Sequence, residues 1–384
     1  MSKILAHRPE GRRVDTGAAT IYAAKERKVS AWRIGLEMLR LSYGKCALSP
    51  EEYFLHGAWK PGLTWRERQA FIGSSVNHAL NISLNPPMDA AERHLTANKL
   101  ACAALLGAAG LPQPRVLAVA SETRPDGTHR WLGGPDATLD FLREPGRLPC
   151  FGKPVSSSLG LGAVSLLGLD EADEVRLGSG RKVSLNDLVR EIWSEFPSGF
   201  LFQEIVRPHP DLAALIGPVI GTLRVVTIDA GGGPEPLYAM LRAPVAGAIV
   251  DSAAGPLGCN AAVDINSGAI LRLQDRRQMG GLDLVRFPET GAEVARAQLP
   301  DFPEARRLSV LAHQLVGKRG ILGMDVHLSD RGPLLNEVNS NPFHSSYQSA
   351  FSRGFLNADF LPQLRAVRAR FRDVTPRPKQ CPLD

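Results

Sequence analysis

No uninterrupted apolar run in this chain is long enough to cross a bilayer. The richest stretch, Leu100 to Leu111, is alanine-heavy, is interrupted by Gly107 and Gly110, and reads as a buried amphipathic helix. Met1 to Ala19 lack an apolar segment behind their basic residues, so no secretory signal is expected. Cysteine is scarce: Cys46, Cys102, Cys150, Cys259 and Cys381 lie far apart, without the close pairing that metal knuckles and redox motifs use. An odd number of thiols with no signal predicts reduced cysteines and a cytoplasmic protein. Aromatic residues make up 6% and form no stacking stripe, so nucleic acid is not expected as a partner. Internal repeats and low-complexity segments are also missing.

What the chain does have is bulk and unevenly placed charge. Its 384 residues, 44% of them hydrophobic and 22% charged, suffice for two or three subdomains with substantial cores. The formal net charge is +6. Arg8, Arg12, Arg13, Lys25, Arg27, Lys28 and Arg33 crowd the start; Arg365, Arg368, Arg370, Arg372, Arg377 and Lys379 crowd the end. The plain reading is two solvated flanks. The functional reading is peripheral attraction to an anionic membrane surface, a nucleotide sugar or a polyanionic glycan.

Residues 20 to 85 read as mainly helical. Trp32, Leu36, Leu39 and Arg40 follow a helical rhythm, and Ser49-Pro50-Glu51-Glu52 is a helix start with a serine cap and proline in the first turn. Thr64 with Glu67 has the capping-box pattern. A helix opening at Asp89 or Ala90 is expected to carry Lys99 and stop at Gly110-Leu111-Pro112. Beyond it, strands are expected over 115–120, 150–155, 163–169, 199–206, 221–229, 236–242 and 261–265, with helices over 185–196 and 304–319. Gly323 to Leu328 and Leu334 to Val338 form a hairpin around Asp330-Arg331-Gly332.

Three constellations can carry chemistry. Lys153 near a strand end precedes Ser156-Ser157-Ser158-Leu159-Gly160-Leu161-Gly162, where hydroxyls and glycines let backbone N–H groups approach an anion. It is neither a Walker loop nor a dinucleotide fingerprint, since no Gly-Lys-Ser/Thr opens a helix and Ser165 stands where a third glycine belongs. The apolar strand Phe200-Leu201-Phe202-Gln203-Glu204-Ile205-Val206 turns polar at its end, with Asp211 beyond; such an edge can face adenine and a carboxylate there can reach ribose. Most informative are Asp325 in Gly323-Met324-Asp325-Val326-His327, and Glu337 and Asn339 in Asn336-Glu337-Val338-Asn339. Alternation puts Glu337 and Asn339 on one face, with Asp325 across from them. Two carboxylates and an amide oxygen are hard ligands suited to Mg²⁺. His327 and His344 lack metal-ligand spacing, and no nucleophile elbow is present.

Taken in order, Lys99, Lys153, the Ser/Gly loop, Gln203-Glu204, Asp211, Arg224, Asp325, Glu337 and Asn339 resemble the ATP-grasp superfamily. The closest form is the sugar-transfer-associated ATP-grasp family, through Asn98-Lys99 before Gly110-Leu111-Pro112 and through Gly221-Thr222-Leu223-Arg224-Val225-Val226-Thr227. The resemblance covers about Asp89 to Tyr347. It implies an α+β fold with ATP between two subdomains: a helical region over 1–88, a lid and central subdomain over 89–206, a C-terminal subdomain over 207–364, and a basic tail over 365–384. It implies that Lys99 and Lys153 hold the α- and β-phosphates, that Ser156, Ser157, Ser158, Gly160 and Gly162 close over them, and that Gln203, Glu204 and Ile205 meet adenine. Asp211 would bind ribose, Asp325, Glu337 and Asn339 would hold Mg²⁺, and Arg224 would face the γ-phosphate or an acyl phosphate.

The implied activity is ATP-dependent, ADP-forming ligation of a small-molecule carboxylate to an amine through an acyl phosphate, on substrates that can be sugar-linked, in polysaccharide or natural-product assembly. A small-molecule kinase on the same scaffold and a non-catalytic nucleotide-binding module are the alternatives. Two departures stand out. Met324 occupies a position where many superfamily ligases carry arginine, leaving Arg224 or Arg242 to substitute. The first eighty-odd residues also do not read as the usual α/β N-terminal domain. As site residues, Asp325 and Glu337 are both expected to be replaceable without loss of the fold.

Overall fold

The computed structural model describes residues 3–5, 14–124, 129–157, 160–244, 258–275, 282–375 and 381–383. Helices come first: α1 (Thr16–Arg27), α2 (Ala31–Tyr43), α3 (Pro50–Leu55), α4 (Trp65–Arg68), α5 (Ser74–Leu84), α6 (Ala90–Ala97) and α7 (Lys99–Ala108). Their starts follow local chemistry. Ser49 with Glu52, Thr64 with Glu67, and Asp89 with Glu92 each form a complete capping box, satisfying N–H groups that the first turn leaves over.

The single helix expected from Asp89 to Gly110 is two. Asn98 adopts an extended conformation (φ −103°, ψ 109°), and its side chain accepts from the N–H groups of Leu100 and Ala101. An asparagine that can cap competes with helix continuation. The break makes Lys99 the first residue of α7, whose backbone N–H bonds the Val155 carbonyl at 3.0 Å. α5 runs to Leu84, at the end of the stretch over 20–85 expected to be helical.

The first sheet contains β1 (Val116–Ala120), β2 (Trp131–Leu132), β3 (Cys150–Pro154), β4 (Val164–Leu169), β5 (Glu174–Leu177), β6 (Lys182–Ser184) and β7 (Phe200–Glu204), in the order β2-β1-β7-β3-β4-β5-β6. Helices α8 (Pro135–Arg143) and α9 (Leu185–Glu195) cover one face, burying Phe141, Leu188 and Ile192 against Phe200 and Phe202.

A short helix, α10 (Pro210–Ile216), leads into the second sheet: β8 (Thr222–Ile228), β9 (Glu235–Ala243), β10 (Cys259–Val263), β11 (Ile270–Asp275), β12 (Leu282–Leu284), β13 (Ile321–Ser329) and β14 (Gly332–Asn339). Its order is β12-β11-β10-β9-β8-β13-β14. α11 (Phe302–Val316) packs on one face over Leu223, Val225 and Met324. On the other, α5, α12 (Ser345–Phe351) and α13 (Leu361–Arg370) pack over Val226, Ile228 and Tyr238. A sheet covered on both faces reads as near-continuous apolar strands, and β8 is buried at all of its positions.

The expected basic tail begins inside α13. Leu364 and Val367 are buried, Arg370 pairs with Asp229 at 2.7 Å, and Arg368 bonds Thr375, so this stretch is packed rather than a solvated flank. Arg377 and Lys379 lie outside the described residues. Among the described residues no helix is long and apolar enough to cross a membrane.

Candidate functional site

The site forms where the inner face of the first sheet meets the β13–β14 hairpin. In register, Asp325 faces Glu337 on one side and Arg224 on the other, while Asn339 faces Gly323. Glu337 and Asn339, two residues apart, share a face of β14. Two carboxylates directly opposed on neighbouring strands repel unless cations intervene. Here Asp325 is paired with two arginines, while Glu337 makes no described hydrogen bond and only lies in the field of Lys99 and Lys153.

Asp325 is 4% exposed. Its oxygens accept from Arg224 Nε and Nη2, each at 2.7 Å, and from Arg242 Nη2 at 3.0 Å. Burial alone would raise its pKa, but the Arg224 and Arg242 charges outweigh that and hold it at about 2. Burial lowers Arg224 in turn, and Asp325 more than restores it. The acid expected to be a replaceable metal ligand is therefore also the centre of a buried ion cluster. Its removal would strand two guanidiniums, which corrects the expectation that it can be neutralised freely.

Glu337 differs: its carboxylate accepts no hydrogen bond among the described residues, and its charge acts on Lys99, Lys153 and Arg224. Lys153, on β3, crosses to the second sheet and donates to Asn336 Oδ1 at 2.9 Å. Asn336 is the extra residue of a β-bulge, since Asp325 pairs with Glu337 but Val326 pairs with Leu335. The bulge lets Asn336 and Glu337, adjacent in sequence, both serve the same cleft. Burial drives the Lys153 pKa down to about 8, with Lys99 adding to the fall and Glu337 opposing it. Lys99 is lowered by burial and supported by Glu337; its Nζ bonds the Ser157 carbonyl at 2.7 Å and hydroxyl at 3.3 Å.

The hairpin between β3 and β4 starts with Ser156, exposed, and Ser157, tied to Lys99. Ser158 lies outside the described residues. Gly160 and Gly162 have φ of 72° and 79°, and a Cβ on Gly162 would stand 2.6 Å from Pro154 Cγ. The turn therefore depends on glycine there. Leu201, beside Lys153 in register, joins Leu100, Val119 and Val155 in a small apolar cluster.

Gln203 is buried on β7 and Ile205 is 36% exposed at its end. The Glu204 N–H is taken by the Arg115 carbonyl at 3.0 Å, and its carboxylate is held by Arg331 and the Arg115 N–H. Asp211, in the first turn of α10, is 79% exposed at its side chain, and its N–H bonds His209 Nδ1. The structure thus gathers Lys99, Lys153, Arg224, Asp325, Glu337 and Asn339, while Asp211 touches none of them.

Sequence reasoning missed the groups that hold the end of β14. Asn77 and Asn81 of α5 donate to the Pro342 carbonyl, and Asn81 also to Asn341 Oδ1 at 2.7 Å. His344 bonds Asn81 Oδ1 and the Tyr238 hydroxyl, each at 3.0 Å, and burial holds its pKa down at about 3. Asparagines at i and i+4 of a helix were the available signal, but nothing local ties them to a loop 260 residues away.

The donor set fits a hard cation. Among the described residues no three histidine, cysteine or carboxylate side chains gather at one point. Asp325 and Glu337 are opposed in register and Asn339 follows two residues along the same face of β14, a set of two carboxylates and an amide of the kind Mg²⁺ accepts when phosphate oxygens and water complete its shell. The Asn339 amide supports this, because its Nδ2 is buried without a hydrogen-bond partner. Turned over, the amide presents its oxygen instead.

Comparison with curated proteins gives no match. Among solved structures, the ATP-grasp ligase PsnB complexed with a minimal precursor is 18% identical, with a TM-score of 0.38 over 73% of this chain and 62% of that one. The D-Ala:D-Ser ligase VanG of Enterococcus faecalis is 12% identical, with a TM-score of 0.44 over 74% and 64%. A D-alanine–D-alanine ligase of Bacillus anthracis complexed with ATP is 13% identical, with a TM-score of 0.41 over 75% and 70%. The chain spans less than two thirds of the length of the first two. The model of the sugar-transfer associated ATP-grasp family matches residues 75–361. That range contains both sheets and every residue of the cleft, and the chain belongs to the sugar-transfer associated ATP-grasp family, with an α+β ATP-grasp fold preceded by a helical region.

Proposed function

We propose that this protein is an ATP-dependent ligase that activates a carboxylate as an acyl phosphate and passes it to an amine, in the assembly of a polysaccharide or natural product. The observation that carries the reading is the Lys153–Asn336 bond, which joins the two sheets and sets a buried cation beside Glu337 and within the field of Asp325. A carboxylate with no described hydrogen bond, an amide whose buried Nδ2 has no partner and two lysines in one cleft suit a metal-bound polyphosphate better than a structural ion network. In a structural network each group would be paired.

Lys99 and Lys153 would hold the α- and β-phosphates, with the Ser156–Gly162 hairpin folding over them. Gln203, Glu204 and Ile205 would meet adenine, and Asp211 would reach ribose once the ligand spans the distance. Glu337 and Asn339 would hold Mg²⁺ with Asp325, whose oxygens already carry three guanidinium bonds and so contribute only what remains. Bound there, Mg²⁺ would neutralise phosphate charge. Arg224 and Arg242, fixed by Asp325, face the region where negative charge grows as a substrate carboxylate attacks the γ-phosphorus. Because Asp325 fixes them beforehand, they need no reorganisation during the reaction. The oxygen–phosphorus bond forms as the bond to ADP breaks. The amine then displaces phosphate from the acyl carbon and loses its proton. Closure of the hairpin would keep water from the acyl phosphate.

The test is a panel of carboxylates and amines, including uronic acids, amino sugars and amino acids, assayed for ADP, phosphate and coupled product. A ligase releases ADP and phosphate fully only when both partners are present. A stable phosphorylated product from one substrate would instead indicate a kinase. No turnover across the panel, with ATP still bound, would favour a binding module.

A further inference from the structure

The helical leader carries a surface that the nucleotide cleft leaves without a role, and α1 to α4 lie outside the matched range of 75–361. α2 buries Ile34, Glu37 and Leu41. The apolar rhythm seen in its sequence marks the other side: Trp32, Leu39 and Tyr43 are 75%, 54% and 87% exposed. With half-buried Leu36 they fall at i, i+4, i+7 and i+11, one continuous stripe on the helix. Isolated exposed apolar residues need no explanation, but an aligned set including tryptophan and tyrosine does.

Beside the stripe lies a cavity of about 250 Å³, lined by Arg27, Arg33, Arg40 and Arg68 around Glu37. Four guanidiniums face one carboxylate, and that carboxylate is already committed. Glu37 accepts from Arg27 at 2.6 and 2.8 Å and from the Tyr53 hydroxyl at 3.0 Å. Arg68 is held by the Lys60 and Leu63 carbonyls. Arg33 stands 3.8 Å from Glu37, and Arg40 makes no ion pair among the described residues. The cavity therefore keeps an excess of positive charge, with Trp65 and Leu36 on its walls.

A soluble anion would answer the arginines and leave the stripe in water. An apolar protein face would do the reverse. An anionic lipid surface answers both, because phosphates meet guanidiniums while indole and phenol rings settle at the level of the headgroups. We propose that the α2 face docks this protein on an anionic membrane, with a lipid phosphate entering the arginine cavity and Trp32, Leu39 and Tyr43 seated in the interface.

The test is cosedimentation of the full chain with vesicles of phosphatidylcholine containing phosphatidylglycerol, against phosphatidylcholine alone. Binding should favour the anionic vesicles by at least about tenfold. Trp32→Ala, and Arg33→Gln with Arg40→Gln, should each reduce it by about tenfold, a loss of the size expected for one buried ring or two surface charges. These positions are exposed, and an unchanged melting temperature checks that the variants fold; Arg27 and Arg68, built into the core, are left alone. Absence of vesicle binding overturns the proposal. So does binding that all variants retain, which would assign it to the basic chain ends. Binding of inorganic phosphate without vesicle binding would make the cavity a soluble-anion site. Self-association lost in Trp32→Ala, again without vesicle binding, would show that a second copy covers the stripe. Both results would refute membrane docking.

Discussion

Neutralising Asp325 should damage the fold, whereas neutralising Glu337 should not. Asp325→Asn keeps the side-chain shape but removes the charge held by three guanidinium bonds at 2.7 to 3.0 Å. Leaving a buried ion without its partner typically costs about 3–5 kcal/mol, and an amide that retains one acceptor oxygen points to the lower end, about 3. A second route agrees in order of magnitude. A carboxyl held at about 2 rather than 3.8 is favoured in its charged form by roughly 2–3 kcal/mol at neutral pH. The sign follows from the depressed value: this stabilisation is present above pH 4 or so and is lost as pH falls through about 2. Glu337→Gln breaks no described hydrogen bond, so its cost should stay near or below about 1 kcal/mol. Urea unfolding of both variants without nucleotide at pH 7 measures the difference. Equal midpoints for Asp325→Asn and the unsubstituted chain, or equal losses in the two variants, would refute the reasoning.

Lys153 gives a trade-off. Its pKa of about 8 means that folding strips a proton which the unfolded chain still holds, so its contribution to stability rises with pH between about 8 and 10.5. Lys153→Met should then stabilise the free protein at pH 7 by about 1–3 kcal/mol in thermal unfolding, while weakening ATP binding at least tenfold in calorimetry. In the proposed reaction, kcat/KM should fall as pH rises through about 8. The kcat limb should lie higher, because bound phosphates favour the charged amine; coincident limbs in the two profiles would count against Lys153 at the phosphates. Asn81→Ala, which removes the bonds to Asn341, Pro342 and His344, should cost about 1–3 kcal/mol and raise the Mg²⁺ requirement, read by denaturation and by metal titration of turnover.

Much of this could be read from the sequence because the signals are local. Alternation and a Asp-Arg-Gly turn placed Asp325 opposite Glu337, and the observed register has that pairing. Capping residues located the starts of α3 and α4 within a residue. What escaped depends on partners far along the chain or on a single irregular residue. The break at Asn98 is one asparagine choosing to cap rather than continue, in a segment whose apolar spacing favours an unbroken helix. The bulge at Asn336 cannot be inferred from period-two alternation, which would turn Asn336 away from the cleft. The pairing of Asp325 with Arg224 spans 101 positions, so the acid looked free when it is not. In α2 the helical rhythm was legible but not which side it faces: Ile34, Leu41 and Glu37, the last paired with Arg27, turn inward, and Trp32, Leu39 and Tyr43 turn out.

The central claim is that Glu337 and Asn339 hold a cation for a triphosphate that Lys153 also grips. Calorimetric titration of ATP, with and without Mg²⁺, into the unsubstituted chain and Glu337→Gln tests it most directly. The account predicts Mg²⁺-dependent binding that loses its metal dependence in a variant whose melting temperature is nearly unchanged. Equal, metal-dependent affinity in both proteins would contradict it.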